Sequence, residues 1–563
     1  MKQIVVTTAL CLFITAGLPR FFALESHWSS DETLWLNRSE QFMLCVKHGR
    51  FSETLITHHP GVMTMWIAGI RTFFLQPRVD VENLALARFF IGIVVWIGLG
   101  TTFLLIYRLF GQWIALTSFA SLVFSPLFLA QARRVHTDAL ATTFILLTVL
   151  LFLHYLQNRK HLHYLIFSGI AFGFALMSKS YALILLPWMP LCLFIFRKED
   201  AENFRTFFVE MICFLNCTTL TVLVLWPIFW TPSFFLMALC LFWLTWHLCH
   251  RKKNRDCFTG FIVAATAGLG LVSASAIKIA WRFFDGVHWA ITTPHGLEHF
   301  FFGKITHDPG WFFYPVVLMI KSTPLLLPVA FLGCFLLWRQ RKCSAEAARL
   351  FFMALTLFAV VLLFMLFLSA TSKKLSRYLL PIFPILEILA SIGFVEGLRW
   401  SFVGLGSQFG IQKINTFKAA LAVIACVFYF GIQIVPVLVC HPYYGTYYNI
   451  CWKLTDITKI ITVGEASGLD VASKYLDKKD NADQLRVAVS PLGTRFVQHY
   501  FVGFTYNTKK KYLPADYEIV YIRDSQIGKV PQIGTRNGVL EHIISLNGID
   551  LAWIYRIPHK ATP

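Results

Sequence analysis

Apolar runs of about twenty residues recur along the chain with short polar breaks between them, the length an α-helix needs to cross a hydrocarbon core of about 30 Å. The pattern predicts about 13 spanning segments. They lie near 4–24, 84–107, 113–131, 139–156, 163–179, 181–196, 206–229, 233–249, 258–280, 312–337, 350–370, 378–398 and 418–440. The stretch Gly61–Leu75 is shorter and carries Arg71, so it is expected to lie along the membrane surface rather than across it. From His441 the pattern changes. Charged residues return, and alternating strands are predicted at Arg486–Ser490, Tyr517–Arg523 and Leu551–Ile557, with a helix over Leu469–Leu476. The fold class expected is an all-α polytopic membrane protein over 1–440 with a small C-terminal extracytoplasmic α/β domain over 441–563.

Composition supports that class. Of 563 residues, 56% are hydrophobic, a balance that a water-soluble fold of this length does not carry. The 13 cysteines show no CxxC pair, and several fall inside apolar runs, where they act as small apolar residues. No repeat and no Gly-rich phosphate loop is present. The amino terminus has Lys2 and an apolar core but no clear cleavage site before Pro19-Arg20-Phe21-Phe22, so an uncleaved first helix is expected.

The net charge of +20 comes from lysines and arginines in the short loops. It reads as membrane orientation, not as nucleic-acid binding. With the amino terminus cytoplasmic, Arg159-Lys160, Arg197-Lys198, Arg251-Lys252-Lys253 and Arg339/Arg341/Lys342 fall inside. Asp31-Glu32, Asp138 and the tail fall outside. Two basic clusters break the rule by lying outside, Arg133-Arg134 and Lys373/Lys374/Arg377. Such a cluster either snorkels to lipid phosphates or binds an anionic ligand, and the second cluster, followed by Pro381 and Pro384, suits the ligand. Lys179 and Lys278 near helix ends are expected to snorkel, whereas Lys321 inside a run is costly unless it faces a cavity or snorkels.

Candidate chemistry gathers on the outer side. Asp31-Glu32 follows the first run, and a carboxylate there can take the proton of an attacking hydroxyl or simply cap the helix predicted at Thr33–Phe42. Asp138 opens the fourth run, and it too reads as base or as cap. With His136 and Asp31 it could share acid/base work or hold a divalent metal, which two or three scattered ligands do not specify. His58-His59-Pro60-Gly61 forms a fixed turn with two candidate donors. A later loop carries Pro294-His295-Gly296 and Gly310-Trp311-Phe312-Phe313-Tyr314-Pro315, a mix that suits an interfacial belt or the stacking of sugar rings.

Taken in order, these motifs resemble the GT-C superfamily of polyprenyl-phosphate-dependent glycosyltransferases, specifically glycosyltransferase family 39. The resemblance rests on Asp31-Glu32, the turn at 59–61, His136-Thr137-Asp138, and the segments around His295 and Tyr314. Lys321-Ser322-Thr323-Pro324, Lys373-Lys374-Leu375-Ser376-Arg377, His441-Pro442-Tyr443-Tyr444 and Gly464-Glu465-Ala466-Ser467-Gly468 complete it.

The resemblance implies an inverting membrane glycosyltransferase that moves a sugar from a polyprenyl-phosphate donor to a glycan, lipid or protein acceptor. The active site would face the outside of the plasma (inner) membrane. Asp31 would be the catalytic base, with Asp138 and Glu32 as further acidic groups. Arg377, Lys373 and Lys374 would bind the donor phosphate, and His58, His59, His136, His295 and Tyr314 the substrates. No cofactor is required, with a divalent metal left open. The chain departs from the family's aminoarabinose transferases, which carry a lysine where His58-His59 stand, and from the eukaryotic members by its α/β tail. Two alternatives are a flippase for a lipid-linked saccharide and a ligase or polymerase using a lipid-diphosphate donor.

Overall fold

The computed structural model describes the chain except for residues 1, 30, 58–59, 196–202, most of 231–297, 407–410, 454 and 559–563. The apolar runs become helices: α1 (Lys2–Phe21), α2 (Glu32–Lys47), α3 (Val62–Gly69), α4 (Val81–Phe110), α5 (Gln112–Val123), α6 (Pro126–Ala132), α7 (Thr137–Gln157), α8 (Leu162–Ser178), α9 (Leu185–Ile195) and α10 (Asn203–Leu225). After the β1–β2 hairpin (His299–Phe301, Lys304–Thr306) come α11 (Phe313–Lys321), α12 (Leu326–Gln340), α13 (Ala345–Ala370), α14 (Ile382–Gly406) and α15 (Ile411–Cys440).

Among the described residues, 6 helices are long and apolar enough to cross a membrane, or up to 8 if each bent pair is one span. The expected segments near 233–249 and 258–280 lie outside the described residues but for isolated positions. Two predicted straight spans are broken. The run near 113–131 bends by 60° between α5 and α6, and the run near 312–337 bends by 100° between α11 and α12. The second break falls at Ser322-Thr323-Pro324, where proline removes a backbone donor and disfavours helix in the residue before it.

Three other segments are placed by internal contacts. The stretch after Gly61 is too short to span, as expected. Its helix α3 packs against α2, α4 and α8, and Arg71 is fully buried because its guanidinium is consumed inside. It donates to Asn83 Oδ1 at 2.8 Å and to the Leu36 carbonyl at 3.0 Å. Lys321 does not snorkel. Its ammonium donates to the carbonyls of Gly445 (2.8 Å) and Tyr447 (2.9 Å) and lies 3.6 Å from the centre of the Tyr448 ring. The tail thus supplies the polar cage that a buried lysine requires. Lys179 does not snorkel either; it turns into the site described below.

The tail is an α/β unit. Its five-stranded sheet has the order β4-β3-β5-β7-β6, from Phe504–Asn507, Arg486–Val489, Tyr517–Tyr521, Ile549–Arg556 and Val539–Leu546. Strand β3 pairs parallel with β4 and β5, while β7 pairs antiparallel with β5 and β6. Helix α16 (Leu469–Leu476) packs on β7. Buried apolar side chains of the helices and of the tail form one continuous cluster, so the sheet is seated on the helical end and does not hang from a linker.

Candidate active site

Three loops at the tail end of the helices converge. The first runs from α1 into α2 and carries Asp31. Asp31 stands at the N-terminus of α2, but its side chain makes no capping hydrogen bond, so the cap reading fails. Its Oδ2 lies 2.5 Å from Arg377 Nη2 and 3.4 Å from His136 Nε2. Burial alone would raise the Asp31 carboxyl, yet Arg377 and His136 outweigh it and hold the group well below the usual carboxylate range. Arg377 gains from the same pairing: burial disfavours its charge, and Asp31 and Asp138 more than restore it.

The second loop carries His136 and Asp138. The N-cap of α7 is His136, and Asp138 is fully buried one step inside the helix. Its carboxylate is not spent on capping. Oδ2 lies 2.7 Å from His136 Nδ1 and 3.4 Å from Arg377 Nε, while Oδ1 pairs with Lys179 Nζ and accepts from the Tyr181 hydroxyl at 3.4 Å. Two carboxylates thus flank one imidazole, with two cations closing the cluster. Lys179 was missed because a lysine at the end of an apolar run has an easy lipid explanation. Its signal was position, since it shares the end of the bundle with Asp138.

These groups face a cleft of about 620 Å³ with two kinds of lining. Asp31, His136, Lys179, Lys373 and Arg377 make the polar floor. Leu183, Ile184, Pro187, Leu363, Phe367 and Leu368 make an apolar side. Trp35 and Arg38 of α2 line it too, with the guanidinium 4.9 Å from the Trp35 ring centre. Trp35 also explains Gly61, because a Cβ there would lie 2.1 Å from its indole. The Pro-Gly turn is therefore required by packing under the cleft.

The other expected site residues are placed elsewhere. Glu32 is fully buried away from the cleft, in a bidentate pair with Arg88 (2.8 and 2.5 Å), and accepts from the backbone of Ser29 and Val135. Burial opposes its charge, but Arg88 and these donors lower it to about 2. Glu32 is a brace joining the first two loops, not a group that reaches a substrate. Lys374 is buried, and its ammonium donates to the carbonyls of Ser369 (3.0 Å) and Thr371 and faces Asp308 at 3.4 Å. Tyr314 is buried beneath the third loop, its hydroxyl 3.4 Å from the Leu375 nitrogen. His58, His59 and His295 lie outside the described residues. Arg133 donates to the carbonyls of Pro19, Phe22 and Ala23, so that basic cluster ties loops together.

Among the described residues no group of three or more His, Cys, Asp or Glu is placed to hold a metal. The carboxylates of Asp31 and Asp138 face Arg377 and Lys179.

No curated protein matches the chain. Among solved structures, ArnT from Cupriavidus metallidurans bound to undecaprenyl phosphate matches at 13% identity, over 98% of this chain and 97% of that one, with a TM-score of 0.42. The archaeal oligosaccharyltransferase AglB from Archaeoglobus fulgidus, in complex with an inhibitory peptide and a dolichol-phosphate, matches at 12% identity. It covers 93% of this chain and 70% of that one, with a TM-score of 0.49. Residues 58–230, which contain His136, Asp138 and Lys179, match the family model for dolichyl-phosphate-mannose-protein mannosyltransferase. Over that stretch the resemblance to the GT-C glycosyltransferases is borne out.

Proposed function

We propose that the protein is an inverting glycosyltransferase that uses a polyprenyl-phosphate sugar on the outer face of the cell membrane. One observation carries the reading: a single cleft offers a carboxylate, cations and an apolar side within reach of one another. A lipid-phosphate donor has the matching parts. Its isoprenoid tail suits Leu363, Phe367 and Leu368, and its phosphate suits Arg377 and Lys373, with Lys179 nearby.

Asp31 is the base. As the acceptor hydroxyl attacks the anomeric carbon, its proton passes to Asp31. The bond from that carbon to the phosphate oxygen breaks on the opposite face, and the polyprenyl phosphate departs with the electron pair. The cations neutralise the charge that develops on the departing phosphate. In the free enzyme Arg377 keeps Asp31 a weak base. A donor phosphate that draws Arg377 away removes this restraint while burial remains, so Asp31 becomes basic only when a donor is present. His136, between the two carboxylates, is placed to orient Asp31 against the acceptor. The charges are supplied by the chain, so no metal is needed.

The test compares wild type with Asp31→Asn in nanodiscs, with a panel of radiolabelled polyprenyl-phosphate sugars and a membrane extract as acceptor source. Wild type should transfer one sugar. Asp31→Asn should retain donor binding and lose transfer by on the order of 10²–10⁴-fold. A variant that transfers as fast as wild type removes Asp31 as the base. Donor binding by wild type without cleavage, across a broad acceptor panel, replaces the transferase with a carrier of lipid-linked sugar.

A further inference from the structure

The tail touches all three loops that build the cleft, and it does so through two carboxylates on one short segment. Glu465 Oε2 lies 2.7 Å from Arg134 Nη1, on the loop that delivers His136 and Asp138. Its Oε1 accepts from the Ser376 hydroxyl at 3.4 Å, one residue before Arg377. Asp470 Oδ2 accepts from the backbone nitrogen of His27 at 3.2 Å, on the loop that leads to Asp31, and from the Tyr443 hydroxyl at 2.6 Å. The first two loops are also joined directly, since Arg134 Nη2 lies 3.0 Å from His27 Nε2.

The segment is built to hold that geometry. Gly464, Glu465, Ala466 and Gly468 all have positive φ, of 106°, 46°, 72° and 85°. Two of them carry side chains, and non-glycine residues in this region cost energy that surrounding structure must sustain. The sheet sustains it: a Cβ at Gly464 would lie 2.3 Å from the Tyr521 hydroxyl at the end of β5, and the Val463 nitrogen donates to Gln526 at 3.0 Å. Glu465 stays charged there. Burial opposes ionisation, but Arg134 and Arg377 lower its carboxyl to about 2. A left-handed turn anchored in the tail therefore aims a fixed negative charge at the flanks of the His136 and Arg377 loops.

We infer that Glu465 is a positioning residue of the transferase: it couples the tail to the cleft by holding Arg134 and Ser376, and through them sets Asp138, His136 and Arg377 against Asp31. The inference rests on the transferase reading. Glu465 touches no reacting atom, and its effect falls on turnover more than on donor affinity, because the apolar side of the cleft is independent of it.

The experiment uses the full chain in nanodiscs with Glu465→Gln, the shorter but still charged Glu465→Asp, and Arg134→Gln. Glu541→Gln serves as control; this tail carboxylate on β6 pairs with Lys479 and Tyr475, not with the cleft loops. Glu465→Gln should lower kcat on the order of ten- to a hundredfold, with donor KM shifted less than about threefold. Glu465→Asp should fall between it and wild type. The double variant Glu465→Gln/Arg134→Gln should be no slower than Arg134→Gln alone, because both act through one pair. Hydrogen exchange, read without turnover, should speed up at residues 134–137 and 376–379 in Glu465→Gln and stay unchanged in Glu541→Gln. Wild-type kcat in Glu465→Gln overturns the inference, with or without faster exchange, as does an equal loss in Glu541→Gln. If wild type transfers no sugar, the transferase reading fails by itself, and the exchange measurement still decides the coupling. If Glu465→Gln does not fold, Glu465→Asp carries the same comparison, and wild-type behaviour in it then overturns the inference.

Discussion

At the scale of single residues, the cleft depends on which charges are paired and where. Arg88 shows the cost most plainly. It is buried and donates to the Leu24, Ser26 and His27 carbonyls as well as to Glu32. Arg88→Met would leave Glu32 charged, buried and unpaired, and should cost about 3–5 kcal/mol, read as a lower melting temperature in detergent. The double variant Arg88→Met/Glu32→Gln should recover part of that loss. Asp31 gives a pH prediction with a definite sign. Its folded carboxyl is held below its ordinary value, so its ion pair stabilises the fold above that ordinary value and is lost only as pH falls through the depressed one. The stability of the donor-free wild type should therefore show no Asp31 step between about pH 5 and 8. In Arg377→Gln, burial acts with less opposition and that step should move up towards neutrality, measured as melting temperature against pH without donor. Sequence alone made Asp31, Asp138 and His136 candidates because each stands at the mouth of an apolar run. It could not separate Glu32 from Asp31, since adjacent carboxylates differ only in which way the first turn of α2 points them. It offered Lys374 beside Lys373 for the same reason.

At the scale of elements, the long helices were legible because a spanning run has a length and composition that little else shares. The breaks were not, since apolar residues continue through them; Ser322-Thr323-Pro324 was the visible sign of the sharper one. In the tail, α16 and the three expected strands appear where alternation placed them, within a few residues. Strands β4 and β6 escaped notice. β4 has only four residues, and β6 is an edge strand whose Val539, Leu540 and Ile543 are exposed, so no clean alternation marks it. Helix contact gives a further prediction. Gly333 of α12 meets Gly393 of α14 so closely that a Cβ at Gly393 would lie 1.9 Å from the Val329 carbonyl oxygen. Small residues let membrane helices approach in this way. Gly393→Ala should cost about 1–3 kcal/mol by forcing backbones apart. Gly431→Ala, where nothing lies within 4 Å, should be neutral or slightly stabilising through helix propensity. Thermal unfolding of both in the same detergent checks the contrast.

At the scale of the whole molecule, the composition announced a membrane protein, and the tail was visible as the place where charge returns. How the two parts meet was not, because no local pattern shows that Lys321 is caged by Gly445 and Tyr447 or that Tyr500 donates to the Glu25 carbonyl. Such contacts join residues more than a hundred positions apart. Lys321→Met should therefore leave the helices inserted and loosen the tail, with faster proteolysis within 441–563 as the measured outcome.

The contact between Glu465 and Arg134 also has a consequence in time. More than four hundred residues separate Asp31 from Glu465, so a ribosome adding about 5–20 residues per second leaves the first loop waiting on the order of 20–90 s for the last part of its support. Throughout that interval the nascent chain holds the carboxylate and, in its later part, the arginine, but not the segment that fixes them. On the transferase reading, donor lipid already in the membrane would meet an immature cleft until the tail has folded. Activity should appear as a late event of biosynthesis, lagging membrane insertion, and a pulse-chase experiment that follows insertion and transfer together would show the delay.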